Sequence, residues 1–296
     1  MSAHKKFTEL AHRHTPAEGS YETPIQGLRL LRADAPTMPM PVVYAPTLCL
    51  VAQGKKRAVL GDTAYVYDAG NYLLASVNLP VVGSVITASP ALPFLCLQLD
   101  LDRAVLADLA LELQHATAAS ESLSPGLSLN ETSTGMLDAA SRLLGLLDTP
   151  RDIPALAPLI IREILYRLLT GPDARVVKQM AQADSRLNQI SRAIAWIRIH
   201  FDQACRIDEI AAVAGMSRSS LHVHFKTVTA MSPLEFRTRL RLQEARRLMV
   251  ADALDAAQAG FRVGYESPSQ FSRDYVRLFG APPATDAGRL RDGVGA

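Results

Sequence analysis

Two stretches of this chain share one grammar, and together they restrict what its last third can fold into. Residues 207–226 read Ile-Asp-Glu-Ile-Ala-Ala-Val-Ala-Gly-Met-Ser-Arg-Ser-Ser-Leu-His-Val-His-Phe-Lys. Residues 255–275 read Asp-Ala-Ala-Gln-Ala-Gly-Phe-Arg-Val-Gly-Tyr-Glu-Ser-Pro-Ser-Gln-Phe-Ser-Arg-Asp-Tyr. In each, a run rich in small residues ends at a glycine, Gly215 or Gly264, and a serine, Ser217 or Ser267, opens a second helical pattern. Leu221 matches Phe271, Phe225 matches Tyr275, and Ser232-Pro233 matches Pro282-Pro283, with one more residue in the second turn. Ser267 suits an N-cap, Pro268 the first helical position, and Gln270 the partner position of a capping box. Each stretch therefore predicts helix, tight turn and short polar-faced helix, a helix-turn-helix whose second helix fits a DNA major groove. A single helical hairpin is common. Two in register, joined by a long helix that Ser232-Pro233-Leu234-Glu235 opens and that runs to about residue 250, are a far stronger signal.

Over residues 185–288 the chain resembles the C-terminal DNA-binding domain of the AraC/XylS family of bacterial transcription regulators. Val263-Gly264-Tyr265-Glu266-Ser267, Gln270-Phe271-Ser272-Arg273 and Phe279-Gly280-Ala281-Pro282-Pro283 carry the resemblance. Two positions depart from it. Val276 stands where many relatives carry lysine or another polar residue, and Val223 where arginine is frequent, so the first reading helix is expected to be less strict. Residues just after each cap face the groove: Arg218, Ser219, His222 and Val223 in the first unit, and Ser269, Gln270, Ser272 and Arg273 in the second. The resemblance implies base-facing roles for Ser219, His222, Val223, Ser269, Ser272 and Arg273. Arg273 is the strongest candidate, because arginine pairs bidentately with guanine O6 and N7. Arg218, Lys226 and Arg277 suit phosphates. Two units on one rigid helix would meet successive major-groove segments about 34 Å apart.

The chain's 296 residues allow about two domains, and 48% hydrophobic with 20% charged residues fits a globular protein. Its net charge of +2 is unevenly spread. Residues 172–296 hold 18 Lys and Arg against 13 Asp and Glu, a net +5, which leaves −3 for residues 1–171. A basic bias in the helix-turn-helix half suits phosphate contact. The N-terminus lacks a signal-peptide core, no apolar run approaches the ~18 residues of a membrane span, and Cys49, Cys96 and Cys205 show no paired spacing. A cytoplasmic, reduced protein without membrane contact is expected.

The front half changes character. Residues 1–20 read as a tail or loose first helix. From about 22 to 101 short strands recur: Thr47–Ala52, a hairpin of Lys55–Leu60 and Thr63–Tyr67 on Gly61-Asp62, Tyr72–Ser76, Val81–Ala88 and Phe94–Leu99. Helical periodicity follows over 103–115, 132–147 and 155–169, and Thr170-Gly171-Pro172-Asp173 starts a linker. The expected class is multidomain α+β. It comprises a β-sandwich or barrel with flanking helices (1–171), a linker (172–185) and an all-α domain with two helix-turn-helix units (186–296). Pro46-Thr47-Leu48-Cys49-Leu50-Val51-Ala52-Gln53-Gly54 and Asp68-Ala69-Gly70 resemble the cupin-like effector domain of one AraC-family branch.

Metal-dependent cupin chemistry is disfavoured, because no histidine lies between His14 and His115. His222 and His224 lie two apart on a helix and face differently. No metal or cofactor is expected. Tyr44, Tyr65, Tyr67 and Tyr72 are candidates to line an effector cavity, with strand packing as the plainer reading. Cys49 and Cys96 are candidate effector-site thiols, with inert buried cysteine as theirs. The stripe of Leu156, Leu159, Ile160, Ile164, Leu165 and Leu168 serves either packing on the barrel or a homodimer interface. These observations describe a sequence-specific DNA-binding regulator, not an enzyme, that responds to a small-molecule effector, with contact to RNA polymerase as a later step. The alternatives are a cupin-type enzyme with a DNA-binding tail and a ligand-independent DNA-binding protein.

Overall fold

The computed structural model describes residues 2–113 and 122–294, without the side chains of 292–294. The end of the helix expected over 103–115 lies outside the described residues. The chain forms two compact units. One comprises Met1–Asn188 with Thr227–Ala230, the other Gln189–Lys226 with Met231–Ala296.

Among the described residues the first unit is built on ten strands: β1 (Gly19–Glu22), β2 (Leu28–Ala33), β3 (Met40–Tyr44), β4 (Thr47–Gln53), β5 (Lys55–Leu60), β6 (Thr63–Asp68), β7 (Asn71–Ala75), β8 (Leu79–Thr87), β9 (Phe94–Asp100) and β10 (Leu127–Glu131). They make a six-stranded sheet in the order β1-β2-β9-β4-β7-β10 and a four-stranded sheet in the order β3-β8-β5-β6. The β5–β6 hairpin turns on Gly61-Asp62, and Gly61 supplies the positive φ of 60° that the two-residue loop needs. β10 falls where only helix was expected. Its Leu127 and Leu129 pair with Ala75 and Leu73 of β7, an alternation too brief to stand out in the sequence.

Register sorts the six-stranded sheet into two faces, because residues paired across neighbouring strands point the same way. Leu48 pairs with Leu74 and Leu99, and Leu50 with Tyr72 and Leu97. This face packs against α1 (Ala3–Arg13), whose Phe7 and Leu10 are buried. Residues 3–13 are thus a docked helix capped by Ser2, not a loose tail. Cys49 pairs with Leu73 and Gln98, Arg29 with Gln98, and Leu31 with Cys96. These point the other way, between the sheets.

Among the described residues the first unit also holds the α-helices α2 (Arg103–Glu112), α3 (Thr134–Gly145), α4 (Ile153–Thr170) and α5 (Ala174–Ala181). Asp102 caps α2 by accepting from Ala104 N at 2.8 Å. The segment expected to be a linker holds α5, which buries Val176, Val177 and Met180. Asn188 Nδ2 donates to the carbonyls of Gln179, Met180 and Gln182, satisfying the exposed end of α5. The first unit therefore runs on to Asn188 instead of ending at residue 171.

The second unit is helical: α6 (Arg186–Ile199), α7 (Ile207–Ala214), α8 (Arg218–Thr229), α9 (Pro233–Ala251), α10 (Ala256–Arg262), α11 (Pro268–Phe279) and α12 (Pro283–Val294). Ser232 and Glu235 form a capping box at the start of α9. Phe225 meets Phe236 edge-on at 5.4 Å, and Phe271 meets Tyr265 and Tyr275 at 5.3 and 5.5 Å. One buried polar group ties three helices. Asp286 on α12 accepts two bonds from Arg246 on α9, at 2.8 and 2.9 Å, and one from the Tyr275 hydroxyl on α11, at 2.8 Å. Both charged side chains are only 11% exposed.

Asp286→Ala should therefore destabilise this unit by about 3 kcal/mol, since it strands a buried guanidinium and a phenol. Urea unfolding measures the loss, and a change under about 1 kcal/mol would show the network to be dispensable.

Candidate nucleic-acid interface and ligand cavity

The two helix-turn-helix units end their first helices in the same way. Met216 N donates to Ala211 O and Gly215 N to Ala212 O, both at 3.0 Å. Tyr265 N donates to Gly260 O and Gly264 N to Phe261 O, again at 3.0 Å. Both are Schellman closures, which need a left-handed residue after the helix; Gly215 has φ 66° and Gly264 has φ 86°. Ser217 Oγ then accepts from Ser220 N at 3.2 Å and Ser267 Oγ from Gln270 N at 3.4 Å, starting α8 and α11. At α11 only this one capping bond forms among the described residues. The Gln270 side chain instead lines a pocket shared with Arg237, Arg241 and Asp274.

Leu221 and Phe225, and Phe271 and Tyr275, are buried and fix the rotation of the two helices. The opposite faces carry Arg218, Ser219, His222, Val223 and Lys226 on α8, and Ser269, Gln270, Arg273 and Arg277 on α11, all exposed, with Ser272 half-buried. The three arginines differ in their ion pairing. Arg218 is paired with Asp208, and Arg277 with Asp274 at 2.7 Å. Among the described residues no carboxylate pairs with Arg273. Asp274 also accepts from the Tyr265 hydroxyl at 3.3 Å, and burial, with this carboxylate second, pushes that phenol above its usual range. Arg237 and Arg241 of α9 donate to the carbonyls of Phe201 and Gln203, holding the loop before α7 against the long helix.

A cavity of about 530 Å³ opens between the two sheets of the first unit. Its lining combines Arg29, Leu31 and Gln98 from one sheet with Val42, Tyr44, Lys56, Gly83 and Val85 from the other. Tyr44 and Tyr67 are buried with their hydroxyls 3.4 Å apart, and burial raises both phenols. Cys49 and Cys96 are buried free thiols beside this cluster. A hydrogen bond from Cys96 holds the Cys49 thiol low, and the same bond, with burial, drives Cys96 up.

Of the six expected effector-site residues, Tyr44, Cys49, Tyr67 and Cys96 are thus buried between the sheets, Tyr65 faces the same way from the edge, and Tyr72 does not. Tyr72 lies on the helix-covered face, opposite Leu50, where it meets Asp173. Tyr65 lies across from the buried Ala58 on the edge strand β6, half-buried and, like Cys49, Tyr67 and Cys96, outside the cavity lining itself. The expected dimer stripe divides as well. Ile160, Ile164 and Leu168 are buried within their own unit, while Leu156 and Leu159 are 44% and 63% exposed. Sequence reasoning missed Lys56, although the signal was present. Period-two alternation puts Lys56 on the face of Ala58 and Leu60, both fully buried. Among the described residues no group of three or more His, Cys, Asp and Glu is placed to hold a metal ion, and no helix is long and apolar enough to cross a membrane.

Residues 24–176 match the family model for the AraC-type transcriptional regulator N-terminus, and residues 210–288 match that for a helix-turn-helix domain. The HTH-type transcriptional activator RhaS of Klebsiella pneumoniae is 30% identical over 135 residues, 45% of this chain and 47% of its own. The chain spans about half the length of the curated relatives it matches. Among solved structures, apo ToxT from Vibrio cholerae aligns over 90% of this chain and 98% of its own, with TM-score 0.56 and 11% identity. ToxT with a bound unsaturated fatty acid aligns over 88% and 93%, with TM-score 0.51 and 13% identity. The two ToxT structures share the fold.

The two turn glycines should respond differently to substitution. A Cβ on Gly215 meets only the far ends of Arg192 and Gln189, whereas one on Gly264 runs into the Asp202 carbonyl. Gly215→Ala should cost about 1 kcal/mol, the price of left-handed backbone alone. Gly264→Ala should cost clearly more. Equal losses in thermal denaturation would show that the Asp202 backbone yields freely.

Proposed function

Because this chain belongs to the AraC-type transcriptional regulators, we propose that it is a one-component regulator whose helical unit binds duplex DNA and whose sandwich unit binds a small molecule. The observation that carries the reading is the pair of identically closed helix-turn-helix units with outward polar faces on α8 and α11. On this reading Ser219, His222 and Val223 face bases from the first unit, and Ser269, Gln270, Ser272 and Arg273 from the second. Arg273 pairs with a guanine, while Arg218, Lys226 and Arg277 lie along phosphates. The cavity between the sheets supports the sensing role, as does the fatty acid held by ToxT, a protein of the same fold. An effector then acts through its differential affinity for two arrangements of the protein, typically ~1–3 kcal/mol of coupling. No catalytic step and no metal enter this reading. The protein works in the cytoplasm, and contact with RNA polymerase follows DNA binding.

Selected operator fragments test the DNA reading. Arg273→Ala should cost about 1–3 kcal/mol at one base position and relax preference there. Arg277→Ala should weaken binding evenly across sequences and flatten its salt dependence. Unchanged base preference in the Arg273 variant would mean that α11 is oriented differently in the groove.

The sandwich unit also joins two copies of the chain on this reading, through the outer side of α4. Leu156, Leu159 and Tyr166 are exposed there, while the buried Ile160, Ile164 and Leu168 support the helix from beneath. A Leu156→Glu/Leu159→Glu double variant keeps that support and should be a folded monomer by light scattering with circular dichroism. A variant that remains dimeric rules this face out.

A further inference from the structure

The cavity between the sheets has a charge account that does not close. Four charged side chains line it: Glu18, Arg29, Arg32 and Lys56. Arg29 pairs with Asp100 at 3.1 Å and Glu22 at 3.8 Å. Arg32 pairs with Asp34 at 2.7 Å and donates to the Thr15 carbonyl at 2.8 Å. Glu18 is exposed. Lys56 has no carboxylate partner among the described residues. Its Nζ lies 5.7 Å from the Tyr44 ring centroid and 6.0 Å from that of Phe94. Ring faces compensate an ammonium only in part, and removing a charge from water is costly without a counter-charge.

The space in front of this ammonium is kept open. A Cβ on Gly83 would sit 3.6 Å from Lys56 Cε and 3.7 Å from the Tyr44 hydroxyl, so any longer side chain there would fill the cavity. The neutral hydrogen-bonding residues of the lining are Ser20, Thr37, Tyr44, Ser84 and Gln98, of which Tyr44 stands beside the ammonium, and Val42, Val85 and Phe94 supply apolar walls. A polyhydroxylated ligand would leave most of its hydroxyls unpaired against such walls. A dianionic phosphate would exceed the one uncompensated positive charge. A volume of about 530 Å³ is of small-molecule size.

We infer that this cavity binds a small organic monocarboxylate with an apolar body, its carboxylate anchored by Lys56 and its body packed against Val42, Val85 and Phe94. The inference rests on the effector-binding reading of this unit and adds the chemical class of the ligand. Tyr44 is placed to donate a second hydrogen bond, and Gly83 provides the room.

The test uses the full chain and three probe sets: phenylacetate, cinnamate and octanoate; their primary amides; and a group of aldoses. Calorimetry and thermal denaturation read binding. At least one carboxylate should raise Tm where its amide does not. Lys56→Met should weaken that carboxylate by roughly tenfold or more while raising the Tm of the unliganded protein, because a half-buried charge without a carboxylate partner is gone. Lys56→Arg should retain most of the affinity. Gly83→Ile, which leaves the charge in place, should abolish binding; circular dichroism confirms that each variant is folded. Equal binding of acid and amide, or full affinity in folded Lys56→Met, overturns the proposal. Binding of amides or aldoses alone overturns the carboxylate anchor but leaves the sensing role standing. Silence from all three sets removes both.

Discussion

The pairing of β4 with β9 on one side and β7 on the other governs the sandwich unit. It sets Leu48 and Leu50 against α1 and turns Cys49 and Val51 toward the second sheet. A slip of one residue would exchange the two sets and bring Leu48 and Leu50 into the cavity. Such a slip is strongly opposed, because both faces of β4 are buried and each must meet its own partner surface. The composition of the cavity is therefore a consequence of core packing. Arg29, Leu31 and Gln98 reach it because β2 and β9 share the register that β4 imposes.

The helical unit depends on a different device. Its reading helices are short, and an isolated helix of that length is marginal in water. Each is held from behind by two buried residues, Leu221 and Phe225 or Phe271 and Tyr275, and at its start by a serine cap. α9 serves both. Its arginines grip the loop before α7 at one end and Asp286 on α12 near the other. The outward faces are thus left clear of packing duties, which permits residues as unlike as Val223 and Arg273 at exposed positions.

The repeated glycine–serine grammar made the helical unit legible residue by residue, since caps and left-handed turns are local chemistry. The β5–β6 hairpin was legible for the same reason at Gly61-Asp62. Tyr72 was misplaced because facing depends on pairing: its cross-strand partner Leu50 lies more than twenty positions away and is named by no local pattern. The first unit extends past residue 171 because α5 buries Val176, Val177 and Met180 against it, and Asn188, within ten residues, closes that helix. Lys56 stood in plain alternation with Ala58 and Leu60, but a lysine on a strand is ordinarily assigned to solvent. The face of α4 was legible as apolar, yet which of its leucines stay outside is settled only by the helices packed beneath it.

The ion pairs of Arg218 with Asp208 and of Arg277 with Asp274 alter how the helical unit would meet a polyanion. A phosphate must share either arginine with a resident carboxylate, which already neutralises part of its charge and occupies some of its five donors. The free protein therefore presents a smaller effective positive charge than its arginine count implies, and fewer condensed cations are released at each chance encounter. Only where base contacts hold the helix in place is the exchange of carboxylate for phosphate worth completing. On the proposed reading, internal carboxylates of this kind would act as a filter on the genomic search: they would shorten the dwell on unrelated sequence and favour full phosphate contact at the site that is read.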